Sequence, residues 1–262
     1  MTAARAPLVL RSLEAGVARL VMNRPEKRNA LNDELIAALK SALREADSDP
    51  DVRVISLAGA GPDFCAGMDL ASLQKLADAS ALDNLADVDS LAELFLLIRS
   101  LDKPVIALVH GRALAGGCGL ATACDLVLAA ESATFAYTEV RIGFIPAMVT
   151  AILRRNVTEK RAFELIVRGD SLSARDAERV GLVNQVYGDE EFGAAAESYA
   201  RELAERSGSA VQLCKRLLYL QDGMGFEAAL RVGADLNVVA RMTDDTRAGV
   251  ARFLQRSSKK ER

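Results

Sequence analysis

Three segments of the chain combine small residues with a carboxylate in a way that could move protons beside a carbonyl. They are Phe64-Cys-Ala-Gly-Met-Asp-Leu70, the glycine-rich run from His110 to Asp125, and Phe135-Ala-Tyr-Thr-Glu139. The first two each follow a strand-like run and open a helix-like one, so each presents unpaired backbone N–H groups at the positive end of a helix dipole. Small residues leave such groups open to close approach by a ligand oxygen. Two donors, read here as the amides of Ala66 and Gly116, would form an oxyanion hole, where each is worth roughly 2.7–4 kcal/mol as charge develops in a dry site. Glu139, beside the apolar Tyr137, Val140, Ile142 and Phe144, is then the candidate acid/base, with burial raising its pKa. Taken singly, each segment also has an ordinary reading, as a turn or a solvated acid.

Other chemistries have little to work with. The chain has a single histidine, His110, so a zinc site would need cysteines or carboxylates at ligand spacing, and none is evident. A nucleophilic triad would have to use His110 itself, which reads better as a structural tie between its turn and a backbone carbonyl. Cys65, Cys118, Cys124 and Cys214 form no Cys-x-x-Cys pair and read as reduced, mostly buried thiols of a cytoplasmic protein. Lys plus Arg is 33 against 36 for Asp plus Glu, a net charge of −3 that argues against a nucleic-acid partner. Apolar runs such as Val105 to Val109 and Leu126 to Ala130 fall well short of the ~20 residues that span a bilayer. The start, Met1 to Pro7, lacks the pattern of a secretory signal. A dinucleotide fold is a poor rival, because Gly117-x-Gly119-x-x-Thr122 lacks its third glycine and Glu131 stands too close behind it.

The elements that must position these residues alternate between strand and helix. Leu8 to Leu13 and Val17 to Met22 read as a hairpin, Ala30 to Ala46 as a helix capped by Asn29 or Asn32, and Val52 to Leu57 as a strand. Leu76 to Asp89, rich in Ala, Asp and Ser, reads as the most mobile segment. Ser90 to Leu101 predicts a helix, Pro104 to Val109 a buried strand, Leu120 to Cys124 a helix, and Asp125 to Ala130 and Thr134 to Tyr137 strands. Beyond Pro146 the pattern is nearly all helical, including Thr158 to Arg168 and a capped Ser173 to Val180, with one strand at Leu182 to Tyr187. An α/β core over residues 1–195 followed by a helical region over 196–262 is the expected organisation.

With these segments in order along nearly the whole chain, the sequence resembles the crotonase superfamily, the enoyl-CoA hydratase/isomerase family. Asn23-Arg-Pro-Glu-Lys-Arg-Asn-Ala-Leu31 is similar to the family's first CoA-binding loop, Phe64 to Leu70 to its F-x-A-G-x-D-L segment, and Val109 to Gly119 to its glycine-rich oxyanion turn. Ala121 to Asp125, Leu128 to Phe135, Glu139 to Gly143, Ala174 to Val183 and Asp244 to Arg256 continue in register. The resemblance implies a spiral of ββα units with a C-terminal helical trimerisation region, and a homotrimer or a hexamer of two trimers. It implies an acyl-CoA thioester as substrate, with no cofactor beyond the coenzyme A that the substrate carries. Ala66 and Gly116 correspond to the two backbone donors; Arg28, Ala30, Ala66, Met68, Asp69 and Leu70 lie where the family contacts the CoA moiety.

The chain departs from the two-carboxylate hydratases at Gly119, where those enzymes carry the second acid; Glu139 matches the acid that remains. A single glutamate could still hydrate an enoyl-CoA across C2=C3, with water in the space beside Gly119, or shuttle a proton between C2 and C4 as a Δ3,Δ2-enoyl-CoA isomerase. A non-catalytic acyl-CoA-binding protein is the remaining alternative. Gly143-Phe-Ile-Pro-Ala-Met-Val149 resembles the branch acting on branched or carboxylated enoyl-CoAs such as 3-methylglutaconyl-CoA, with Tyr137, Phe144 and Met148 expected to shape the acyl pocket.

Overall fold

The structure, a computed structural model, describes residues 6–260, and the side chains of all of these except 70, 76–78 and 256–260. The chain opens with the antiparallel pair β1 (Val9–Glu14) and β2 (Val17–Met22). Ala15 and Gly16 turn it with φ of 47° and 77°, the left-handed values that a tight hairpin requires at both positions. Next come α1 (Asp33–Ser48), whose first turn is capped by the Asn32 side chain, β3 (Val54–Gly59), α2 (Leu70–Asp78) and α3 (Ala81–Ser100). Two turns of the spiral follow: β4 (Val105–Val109), β5 (Arg112–Leu114) and α4 (Gly116–Ala123), then β6 (Leu126–Ala130), β7 (Thr134–Ala136), a 3-10 turn (Glu139–Ile142) and α5 (Ala147–Asn156). The remainder is α6 (Glu159–Arg168), β8 (Leu172–Ser173), α7 (Ala174–Val180), β9 (Gln185–Tyr187), α8 (Phe192–Ala204), α9 (Gly208–Leu220), α10 (Phe226–Met242) and α11 (Asp244–Lys260).

The strands form a six-stranded sheet in the order β1-β2-β3-β4-β6-β9, parallel apart from the opening hairpin, and a three-stranded sheet in the order β5-β7-β8. Each turn sends one strand to each sheet. Isolated bridges at Cys65–Ala113 and Leu31–Met68 carry the small layer back to the preceding turns. This is the expected spiral of ββα units, and its strand connections are not those of a dinucleotide fold. The strands β3 and β4 are buried at every position, and apolar at all but Ser56, because both faces are covered. One face lies in the main core with α1, α3 and α4; the other packs against Ala196 and Ala200 of α8.

Several boundaries differ from the sequence reading. Leu76 to Asp89 is mainly helical: α3 begins at Ala81, where Ser80 and Asp83 complete a reciprocal capping box. The helix read from Leu120 starts at Gly116, because its glycines permit close packing that their low helix propensity conceals. A division after residue 195 falls inside α8, whose buried alanines belong to the sheet's outer core, so the helical tail begins with α9. That helix is tied inward by Lys215, whose Nζ donates to the carbonyls of Ile98 and Lys103 and to Asp125 Oδ2 at 2.8–2.9 Å. Tyr219 donates to the other oxygen of the same carboxylate at 2.6 Å. Among the described residues no helix is long and apolar enough to cross a membrane.

Candidate active site

The loop before α1 and the loop before α2 are locked to each other by buried polar groups. The backbone N–H of Arg24 donates to Asn29 Oδ1, and Asn29 Nδ2 donates to the carbonyls of Ala60 and Asp63. The Arg24 guanidinium donates to the carbonyl of Ala30 and to Asp69 Oδ2, the latter at 2.9 Å, with both charged side chains less than a tenth exposed. Asp69 also caps α2 through Ala71 N–H; this bond, followed by the Arg24 bond and charge, holds its carboxyl below the usual range against the opposing effect of burial. The latch fixes a bridge in which Leu31 N–H donates to Gly67 O at 2.7 Å and Asp69 N–H donates to Leu31 O at 2.8 Å. Because alternate residues of an extended strand face opposite ways, the Met68 N–H between them turns away from Leu31. Gly67 makes the approach possible, with φ of +93° and a position where a Cβ would sit 2.9 Å from Leu114 O.

The second donor comes from the start of α4. Ala115 precedes it with φ 48° and ψ −124°, a strained conformation for a residue with a side chain, and donates its own N–H to Ala136 O at 2.7 Å. As the first helical residue, Gly116 has an N–H with no intrahelical carbonyl to meet. Ala66 and Met68 stand beside Gly116 in the wall of a cavity of about 740 Å³. The donor assigned to Ala66 is corrected by this geometry: its N–H already donates to the Arg28 carbonyl at 3.0 Å, whereas Met68 N–H has no acceptor among the described residues.

Across this cavity, Glu139 opens the 3-10 turn after β7. Its Oε2 is the one buried side-chain oxygen without a hydrogen-bond partner among the described residues. Burial raises the carboxyl pKa above the ordinary value, partly offset by a hydrogen bond from its own backbone N–H. Ile142, Phe144, Ile145, Met148 and Val149 supply the apolar surroundings. Such a group ionises reluctantly and takes up a proton readily, as proton transfer near neutral pH requires.

Of the remaining candidates, Phe144 and Met148 line the cavity. Tyr137 does not: it is 2% exposed in the main core, with its hydroxyl 3.4 Å from Thr122 Oγ1. Arg28 is likewise outside, its exposed guanidinium 3.8 Å from Asp63, and Ala30 is buried beneath the loop. Asp69 is spent on Arg24 and the helix cap, so it positions the Met68 amide instead of facing a ligand. The side chain of Leu70 lies outside the described residues. Gly119 does not line the cavity, and no space for a water lies beside it, because a Cβ built there would be 2.1 Å from Val149 Cγ1 and 3.4 Å from the Phe95 ring. His110 does tie its turn to a carbonyl, that of Gly61, at 2.8 Å. Burial pushes the thiols of Cys65 and Cys118 up to about 12, which leaves them unreactive. Among the described residues no three metal-type side chains are placed to hold an ion.

Sequence reasoning missed the wall contributed by α1 and α3, which includes Asp33, Ile36, Asp87, Val88 and Leu91. The signal was the spacing of Val88, Leu91 and Phe95, which extends the helical stripe upstream of Ser90.

Known proteins are similar in sequence and fold. Residues 12–260 match the family described as enoyl-CoA hydratase/isomerase. A putative enoyl-CoA hydratase of Thermus thermophilus is 40% identical over 240 residues, covering 92% of this chain and 95% of the relative. The 2,3-dehydroadipyl-CoA hydratase of Escherichia coli is 32% identical over 246 residues, covering 94% of each. The crystal structure of an enoyl-CoA hydratase of Mycobacterium smegmatis superposes with a TM-score of 0.91 at 35% identity, covering 95% of this chain and 97% of that one. The chain belongs to the enoyl-CoA hydratase/isomerase family of enzymes, the crotonase superfamily.

Proposed function

We propose that the protein is an enoyl-CoA hydratase working with a single glutamate. The observation that carries this reading is the unpartnered, buried Glu139 Oε2 in a cavity that Met68 and Gly116, with their open amides, also line. The thioester oxygen accepts from the two amides, which favour the enolate as it forms. Ionised Glu139 takes a proton from a water molecule whose oxygen bonds to C3, and the C2=C3 electron pair moves toward C2 and the carbonyl. Glu139 then returns its proton to C2, so one water is added and the acid is restored. The chemistry moves no electrons to an acceptor and calls on no cofactor besides the CoA that is the substrate's own handle. Since Val149 closes the space beside Gly119, the water sits on the cavity side of Glu139.

That same closure favours a second reading, Δ3,Δ2-isomerisation, in which Glu139 carries a proton from C2 to C4 and no water takes part. Incubation with crotonyl-CoA and with a 3-enoyl-CoA, followed by the absorbance of the conjugated enoyl group, separates the two. Loss of crotonyl absorbance supports hydration; conjugation of the 3-enoyl compound alone supports isomerisation. The apolar wall of Ile36, Leu91, Phe144 and Met148 suits a branched, uncharged acyl group. Helices α9–α11 expose Leu218, Phe226, Leu230, Val239 and Met242, which supports assembly through this region into a homotrimer or a hexamer of two trimers. Sedimentation velocity distinguishes these states from a monomer.

A further inference from the structure

If acyl-CoA binds as proposed, the charges lining the cavity bear on which acyl group it takes. Besides Glu139, the described lining holds Asp33, Asp87 and Arg141. Asp33 stands in the first turn of α1, where the helix dipole favours an acid. Asp87 lies further along α3, where neither a cap nor the dipole gives it a role. No ion pair or hydrogen bond engages either side chain among the described residues. Both line the same cavity, and half-burial of Asp87, followed by the neighbouring charge of Asp33, lifts the Asp87 carboxyl above its ordinary range. Arg141, on the 3-10 turn, is more than half exposed and is drawn toward Asp170 at 3.8 Å.

The amides of Met68 and Gly116 fix where the thioester carbonyl sits, and one arm of the ligand must run from there along Ile36, Val88 and Leu91. The CoA arm is polyanionic and is repelled by Asp33 and Asp87, while the exposed Arg28 and the partly buried Arg112 gather at Asp63, outside the cavity. The arm meeting α1 and α3 is therefore the acyl chain. We propose that Asp87, seconded by Asp33, makes this cavity select acyl groups that end without charge and reject those that end in a carboxylate. This rests on the acyl-CoA reading and narrows it, setting aside carboxylated substrates such as 3-methylglutaconyl-CoA.

The test compares two saturated thioesters of equal length, hexanoyl-CoA and adipyl-CoA, by titration calorimetry. Hexanoyl-CoA is expected to bind more tightly by on the order of tenfold. Asp87→Asn should shrink that ratio by a similar factor, mainly by strengthening adipyl-CoA, and Asp87→Glu should restore it. Binding of hexanoyl-CoA by each variant reports that the cavity is intact. Equal binding of both thioesters by the wild-type protein overturns the inference. So does a ratio unmoved in Asp33→Asn/Asp87→Asn, or tight adipyl-CoA binding that Arg141→Gln abolishes. Failure to bind either thioester overturns instead the acyl-CoA reading on which the inference stands.

Discussion

The two walls of the cavity are built by opposite means. On the amide side, almost every polar group is spent: Arg24, Asn29 and Asp69 consume one another and the nearby carbonyls, and what is left over is one backbone N–H aimed inward. On the acid side, Glu139 sits on a short turn among apolar side chains, and its buried Oε2 has no hydrogen-bond partner among the described residues. A donor is prepared by fixing its direction, which needs many bonds. A base is prepared by withholding solvent, which needs few. The first wall should therefore fail through loss of structure, and the second through loss of chemistry without loss of structure.

The sharpest break of this contrast is Glu139→Gln. Turnover should fall by about 10²–10⁴-fold, while calorimetry shows hexanoyl-CoA affinity within a few-fold of wild type; unchanged turnover would remove Glu139 from the mechanism. If ionised Glu139 is the base, as proposed, its raised pKa means that kcat/KM for hydration should decline as pH falls through a value above the ordinary glutamate range. The sign for stability is opposite. The charged form is disfavoured by folding, so stability is lost as pH rises from the ordinary to the raised value, and Glu139→Gln should melt slightly higher than wild type at neutral pH.

On the opposite wall, Asp69→Ala strands the buried Arg24 guanidinium and uncaps α2. It should cost about 3–5 kcal/mol in denaturant unfolding, and activity should be lost in step with folding. Gly119→Ala tests the boundary between the walls: crowding against Val149 should cost about 1–3 kcal/mol, and adding Val149→Ala should return part of it. Additive losses would mean that the contact is relieved by other movements. The smallest effect is expected from Ala115→Gly, which relaxes a left-handed residue and should stabilise by about 1 kcal/mol, measured as a rise in midpoint concentration.

Much of the fold was legible because the signals were local. The Glu14-Ala-Gly16 turn between alternating strands, Asn32 ahead of an apolar stripe, and the Ser173/Asp176 pair each act within a few residues, and each stands where the sequence places it. Glu139 and Gly116 both line the cavity. What eluded sequence was decided by partners distant along the chain. Whether Ala66 or Met68 offers a free amide depends on which faces the loop of residues 24–31, a matter of pleat parity that residue types do not record. Tyr137 looked like a pocket residue because of its neighbours, yet it points into the core. Glycine at 119 suggested room, and only the placement of Val149 from the next turn shows it filled. The alanine-rich stretch before Ser90 lacks a strong apolar stripe, and its helix is held by its cap and by the wall it completes.

The Lys215 ammonium has a consequence for trimming the protein. It donates to the carbonyls of Ile98 and Lys103, and it shares the Asp125 carboxylate with Tyr219, so α9 reaches back to where β4 and β6 begin. A truncation ending before α9 would leave a carboxylate and two carbonyls facing an emptied interior. The shortened chain should precipitate or be proteolysed rather than yield a stable core, and any trimming of the helical tail must cut beyond Tyr219.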